Sequence, residues 1–347
     1  MYWCGVWLTN VFRGIMTSKK QAPLVLTDEC IEKASGYKTT LHRGLGAMAN
    51  FAFGFTEVAV LASFTSLYGS SLALGGPATL VWGWLVTWLM LTLAAFSMAE
   101  ICSAYPSAGS VYHWSAQLVP AQWAPLASYI TGWTNFIGNA AGDASFASFF
   151  ASFFNAGLEA SRIQTYDDSA AVGVAIGVLL VWSMLNWFRV DQVGWVNNLA
   201  AFCHAGSIIV IIIVILVYAS SAGGGEGLMP GDWVWTDYEN ASGFTDDSKQ
   251  HALNDHSYIS AMGITIAMFS FSGFEASAHM AEETHGSATA APSGIIWTVF
   301  ATGFGGFAYV LALLYATNNF GLITTTEQPD DEYGMLLCFA LPAALPG

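Results

Sequence analysis

Met268-Phe-Ser-Phe-Ser-Gly-Phe-Glu-Ala-Ser277 lies within an otherwise apolar run, Ser257 to Ala281. A run of that length crosses a hydrocarbon core about 30 Å thick at about 1.5 Å of rise per residue. Yet it carries Ser270, Ser272, Gly273 and the carboxylate of Glu275. An ionisable side chain at membrane depth is expensive and reads as functional by default. Ser272-x-x-Glu275 has capping-box spacing, in which the hydroxyl satisfies one orphan N–H and the glutamate reaches back to another. A capping box inside a spanning stretch predicts that one helix ends there and a second restarts. Broken helices are tolerated at membrane depth where they line a cavity. Their half-helix N-termini point partial positive charge at an anionic group such as a carboxylate. A buried polar kink is the other reading of the same residues.

The rest of the chain has the same solvent. Of 347 residues, 54% are apolar and 10% are charged, and the mean hydropathy is +0.51. A soluble domain carries about a quarter of its residues as Asp, Glu, Lys or Arg, so this surface is expected to meet lipid. Pro77 to Met98 and Ala170 to Phe188 contain no charge, and Leu199 to Ser221 and Gly294 to Thr317 are as clean apart from His204. Gly44 to Gly69, Pro125 to Gly157 and Ser257 to Ala281 contain one acid each: Glu57, Asp143 and Glu275. The spans expected are therefore 44–69, 77–98, 125–157, 170–188, 199–221, 257–281 and 294–317, an all-α polytopic membrane protein.

Charge sets the orientation. Of nine basic residues, Arg13, Lys19, Lys20, Lys33, Lys38 and Arg43 precede the first span, which places residues 1–43 in the cytoplasm as a tail. Alternation then puts Arg189 inside, and Arg162 and Lys249 outside. The loop from Ala222 to His256 carries Glu226, Asp232, Asp237, Glu239, Asp246, Asp247 and Asp255 and falls outside. It also holds Asn240-Ala241-Ser242, an N-glycosylation sequon, although an isolated sequon also arises by chance. The net charge of −15 argues against nucleic acid as partner. Cys4, Cys30, Cys102, Cys203 and Cys338 form no CxxC pair and no zinc-ligand spacing, so no metal site is expected. There is no Walker loop, no GxGxxG and no G-x-S-x-G elbow; the sequence gives no enzyme signature and implies no cofactor.

Other polar residues within the spans add to the candidate site. Ser63-Phe-Thr-Ser66 in the first span is similar to Ser270-Phe-Ser-Gly273 in the sixth. First and sixth spans are equivalent positions when a transporter is built from two inverted five-helix repeats, although a four-residue match also arises by chance. Glu57, two turns earlier, is either a coupling or gating group or a buried, paired acid. Asp143, with Asn135, Asn139 and Ser145, forms a stripe that either faces water or bonds between helices. His204 is either a proton relay or a satisfied interior histidine. Trp82, Trp84, Trp88, Trp182 and Trp187 read as interfacial anchors or packing.

Met98-Ala-Glu-Ile-Cys-Ser-Ala-Tyr-Pro-Ser-Ala-Gly109, continuing Ser110-Val-Tyr-His-Trp-Ser-Ala116, resembles the segment after helix 2 in the amino acid/choline transporter family. That family belongs to the amino acid–polyamine–organocation superfamily. Trp123 to Asn135 is similar to the start of its helix 3. Gly273-Phe-Glu-Ala-Ser-Ala-His-Met-Ala-Glu-Glu-Thr284 with Pro292-Ser-Gly-Ile-Ile296 is similar to its helix 6 and the entry to helix 7. Gly75-Gly-Pro77 sits at the family's position too. The likeness runs from about Tyr37 to Thr317 and leans toward plant bidirectional amino acid transporters and fungal GABA permeases.

The resemblance implies a LeuT-type inverted-repeat fold of twelve helices, with helices 1 and 6 unwound around the substrate. Carried over by position, the first break falls on Ala62, Ser63, Phe64 and Thr65. The second falls on Phe269, Ser270, Phe271, Ser272, Gly273 and Phe274, and Glu275 matches an acidic position. Ser63 stands where the family usually has glycine, and Glu57 where it has an uncharged residue. The apolar run 335–347 is only 13 residues long and is expected to be part of an eighth span. The resemblance implies secondary transport of an amino acid or GABA-like amine by alternating access, in a plasma membrane rather than an organelle membrane. The coupling ion, proton or sodium, stays open. A choline or polyamine carrier, which the acidic residues suit, and a truncated homologue that does not transport are the alternatives.

Overall fold

A computed structural model describes residues 43–161, 166–187, 190–221, 227–241 and 256–317. The expected tail, the run 335–347 and Ser242 of the sequon lie outside the described residues. The described chain is helical: α1 (Ala47–Val58), α2 (Val60–Ala73), α3 (Gly76–Ala104), α4 (Ser110–Leu118), α5 (Ala124–Ala160), α6 (Asp168–Leu185), α7 (Val190–Ser221), α8 (Gly231–Thr236), α9 (His256–Phe269), α10 (Ala276–His279) and α11 (Ser287–Ala316). Among the described residues the strand pairing consists of two isolated bridges, Leu45 with Thr284 and Leu74 with Asn240, and no sheet forms. Four stretches are long and apolar enough to cross a membrane: Ala47–Ala73, Gly76–Ala104, Gly194–Ser220 and Ser287–Ala316. The protein is an all-α, polytopic membrane protein. The 37-residue α5 has the length to span but carries Asn135, Asn139, Asp143 and Asn155 along it.

Helix α11 is the centre of the packing, against α3, α1 and α7; α9 packs on α3 and α2, and α5 joins α4 to α6. Small residues let α11 approach α3. A Cβ on Gly306 would stand 2.2 Å from the Trp84 ring, and one on Gly303 would stand 2.0 Å from Trp88. Trp84 is wholly buried and donates its Nε1–H to the Gly303 carbonyl at 3.1 Å. Trp84 also meets Phe64 edge-on with centroids 5.5 Å apart and Phe271 at 4.9 Å. These rings, with Tyr68, Leu72 and Leu313, form the larger apolar cluster. A second, around Trp114, Ala278, Ala291 and Ile295, lies toward the other end of α3 and α11.

Helix α11 starts at Ser287, seven residues before the expected span, and runs through Pro292. A proline inside a helix leaves the carbonyl four residues earlier without its N–H. That carbonyl belongs to Ala288, and Ser103 Oγ of α3 donates to it at 2.9 Å. The helix continues because a neighbouring hydroxyl replaces the missing amide.

The two ends of the bundle are tied differently. At one end Asp237 O accepts from Ala78 N at 3.1 Å and Ala73 O from Ala241 N at 3.0 Å, so the segment 237–241 covers the α2–α3 turn. At the other, Glu282 Oε1 accepts from Ser107 Oγ at 3.2 Å and Ala108 N at 3.1 Å. Glu283 O accepts from Gly44 N at 3.1 Å and Leu45 N at 3.0 Å. Within the bundle, buried Asn50 donates to Ser277 O at 2.9 Å and Thr284 Oγ1 at 3.0 Å, while Ser277 Oγ donates to Asn50 O at 3.2 Å. These bonds hold the chain around α10 against α1 and thereby position the second helix break.

Candidate functional site

The first span breaks, one turn before the expected place. Ala59 has φ 42° and ψ 50°, left-handed values that end α1 at Val58 and let α2 begin at Val60. For a residue with a Cβ this conformation costs about 1–2 kcal/mol. Ala62 and Ser63, expected within the break, instead form the first turn of α2: their amides donate to Ala59 O at 2.9 and 3.1 Å. Ser63 Oγ lies 3.4 Å from Val58 O and 3.3 Å from Ala59 O, over the last carbonyls of α1. The hydroxyl thus offers a donor to Val58 O at the end of α1, while Ala59 O is already paired with the first amides of α2.

The second break falls where the sequence places it, by a different device. Helix α9 ends at Phe269, and residues 270–275 form turns before α10. The ladder tightens to i→i−3 bonds, Phe271 N to Met268 O at 3.1 Å and Ser272 N to Phe269 O at 3.0 Å. Gly273 then turns the chain with φ 91°. The expected capping box does not form. Glu275 is itself the N-cap of α10, with helical backbone angles and no side-chain cap bond. The reversal at Gly273 moves the restart three residues downstream of Ser272, which frees the Glu275 carboxylate to face a cavity.

Glu57 connects the two breaks. It lines a cavity of about 770 Å³ with Thr56, Ala59 and Ala62 of the first break, Asp143, Phe146, Phe149, Phe150 and Phe153 of α5, and Leu179, Trp182, Ser183 and Asn186 of the α6 region. It also lines a smaller one of about 230 Å³ with Asn139, Gly273, Glu275 and His279. The three acids within spans therefore converge: Glu57 shares one cavity with Asp143 and the other with Glu275. They do not form a cluster that could hold a metal ion, among the described residues.

The remaining candidates separate into three groups. Phe64, Ser63, Ser270 and Phe271 are fully enclosed, the two rings in the apolar core. Thr65 Oγ1 pairs with Tyr309 OH at 2.6 Å, and Phe269 stacks with Phe146, a wall of the larger cavity, with centroids 6.3 Å apart. Ser272, Phe274 and His204 line neither acid-bearing cavity. His204 packs edge-on against Phe55 at 5.1 Å, and its Nε2 has no hydrogen-bond partner among the described residues. In the Asp143 stripe, Asn139 Nδ2 donates to Asn135 Oδ1 at 3.2 Å on the same helix, not to another helix.

Trp182, read from sequence as an anchor, lines the larger cavity, and so do four phenylalanines that the sequence reading passed over. The signal was present. Phe146, Phe149, Phe150 and Phe153 recur at i, i+3, i+4 and i+7, a single helix face, and Asp143 begins that face three residues earlier.

The sequence profile described as amino acid permease matches residues 45–329. The chain belongs to the amino acid permease family. It is 28% identical over 334 residues to amino-acid permease BAT1 of Arabidopsis thaliana, covering 94% of this chain and 62% of the relative. It is 30% identical over 315 residues to the BAT1 homolog of Oryza sativa subsp. japonica, covering 88% and 58%. The GABA-specific permease of Saccharomyces cerevisiae is 26% identical over 285 residues, covering 82% and 48%. The chain thus spans about three-fifths of the length of the first two relatives. No solved structure matches it.

Proposed function

We propose that this permease is a secondary transporter whose substrate, an amino acid or a GABA-like amine, is taken up between the breaks of its first and sixth spans. The observation that carries the reading is the meeting of those breaks at Glu57, which touches the left-handed turn at Gly273 and opens onto both acid-bearing cavities. Helix ends that stop inside the bilayer are stable only where protein or an aqueous cavity receives their free amides and carbonyls. On this reading the scaffold is of the LeuT inverted-repeat type, α1–α2 and α9–α10 are its equivalent broken helices, and alternating access moves the substrate past them. The N-terminus lies in the cytoplasm and the membrane is the plasma membrane.

The test is a panel of labelled GABA, neutral, acidic and basic amino acids, choline and spermidine, offered to the purified chain in detergent and in proteoliposomes. Saturable binding of at least one compound, with time-dependent uptake of the same compound, is the expected outcome. Folded protein that binds none of the panel overturns the proposal. Binding without uptake overturns the transport step.

A further inference from the structure

We infer that the apolar groove between α1 and α11 is a binding site for a sterol, held flat against the rings of α11 with its hydroxyl toward Ser293. The groove lies on the lipid-facing surface, apart from the acid-bearing cavities, and the inference does not depend on the transport reading.

The groove encloses about 520 Å³, of the size that holds a small organic ligand. From α11 it takes Ser293, Gly294, Trp297, Phe300, Ala301 and Phe304, which recur at helical spacing and share one face. Ser293 to Phe304 is about 16 Å of helix at about 1.5 Å per residue, close to one leaflet of a hydrocarbon core about 30 Å thick. No charged side chain lines the groove, among the described residues. Its rim is open to lipid, since Met48, Trp297 and Phe304 are each more than half exposed. The groove is thus continuous with the surface that the bilayer covers, and its occupant comes from the bilayer.

Between apolar surfaces in lipid the hydrophobic effect expresses no preference, so fit and the cost of ordering decide. The wall is flat and built in advance. The Phe300 and Phe304 rings lie 6.4 Å apart and within 20° of parallel. Trp88 braces both edge-on, at 6.5 Å from Phe300 and 4.5 Å from Phe304. Phe51 closes the groove from α1. A rigid fused-ring body meets such a wall without losing internal freedom, whereas an acyl chain gives up a rotation at each bond that it orders. A helix about 10 Å across, from another segment or a second copy, is too thick to enter. Ser293 supplies the polar end. Its hydroxyl is the only one on the groove walls and makes no hydrogen bond, among the described residues. It lies toward the end of the bundle where Glu283 O holds Gly44 and Leu45, hence toward the membrane surface, where a sterol carries its hydroxyl. One unpaired hydroxyl in an apolar, aromatic groove matches a ligand with one hydroxyl on an apolar body.

The test is photolabelling of the full chain in proteoliposomes. One probe is a sterol with a diazirine in its ring system, and the other is a phospholipid with a diazirine in an acyl chain. Labelled peptides are mapped by mass spectrometry, with unlabelled cholesterol as competitor, for the wild type, Ser293→Ala and Ala301→Phe. Circular dichroism and gel filtration establish that each variant is folded. The sterol probe is expected to concentrate on residues 47–51 and 293–304 and to be displaced by cholesterol, while the acyl probe spreads over the exposed spans. Ser293→Ala should weaken the competition by cholesterol about fivefold. Ala301→Phe fills the groove and should lower sterol labelling there at least about tenfold. Equal concentration of the acyl probe in the groove, sterol labelling spread evenly over α3 and α7, or wild-type labelling in both folded variants overturns the inference. A groove that stays unlabelled overturns it too, whether another segment of the chain or a second copy fills the space.

Discussion

Gly273 packs its Cα directly against the side chain of Glu57: a Cβ at that position would stand 2.6 Å from Glu57 Cγ and 3.5 Å from its Cβ. The contact joins the chain reversal of one broken span to the last turn before the break in the other. It uses both properties of glycine, since the backbone has φ 91° and the space for a side chain is taken.

Gly273→Ala is expected to destabilise the protein by about 1–3 kcal/mol from the unfavourable backbone angle alone, with the clash added to it. The two parts are separable. In a Glu57→Ala background the clash with Cγ is gone and the backbone strain remains, so the second Gly273→Ala substitution costs less than the first. Thermal unfolding of the four proteins in one detergent gives the coupling between the sites. Simple additivity would show that the two breaks do not touch as described.

Ser103 and Pro292 offer a second cycle. Ser103→Ala removes the donor to Ala288 O and leaves that carbonyl unpaired in a partly buried position, at a cost of about 1–3 kcal/mol. Pro292→Ala restores the amide that the helix lacks. The double variant is therefore expected to recover much of the loss, and the measurement is the unfolding midpoint in detergent. A double variant no better than Ser103→Ala would mean that the hydroxyl does not stand in for the missing N–H.

The helical, membrane-embedded character of the chain was legible from apolar runs alone, because burial in lipid imposes length and composition together. Where α11 begins was less so. Pro292 reads as a boundary, and the rescue by Ser103 depends on a contact across 185 residues of chain. The acids were legible as costly residues, yet their convergence at Glu57 depends on how α1, α5 and α10 pack, which no local pattern carries. The second break was visible in its serines and glycine. The first was displaced to Ala59, since nothing in the sequence marks an alanine as left-handed; the hydroxyl of Ser63, four residues on, lies over the carbonyls at that turn. The phenylalanine face of α5 was present in the spacing and invisible in meaning, because an apolar stripe on a membrane helix reads first as lipid contact.

Outside the spans, Asp167 caps α6. Its carboxylate accepts from Ser169 Oγ at 2.7 Å and Ala170 N at 3.2 Å, and these bonds hold its pKa below the ordinary value of 3.8. A carboxyl whose folded pKa is depressed contributes stability that is present above its unfolded value and lost as pH falls through the folded one. Acidification from above the ordinary carboxylate value of 3.8 to well below it is thus expected to loosen the start of α6. Hydrogen exchange at the amide of Ala170 is the readout. Asp167→Asn keeps a capping oxygen without the titration, so its exchange should lose that pH-dependent step. An identical profile in both proteins would remove the carboxylate as the cause.

Asn240 tests the orientation. It is exposed and lies in the segment 237–241 that covers the α2–α3 turn, the end of the bundle that the positive-inside count assigns to the outside. The sequon Asn240-Ala241-Ser242 is therefore expected to meet the lumenal glycosylation machinery of a eukaryotic host. Expression in such a host should give a glycosidase-sensitive increase in mass that Asn240→Gln abolishes. The complementary arm places a new sequon in the loop 105–109, which the same count assigns to the cytoplasm and which should stay unmodified. Modification there with none at Asn240 would invert the topology, and with it the side from which a substrate reaches Glu57.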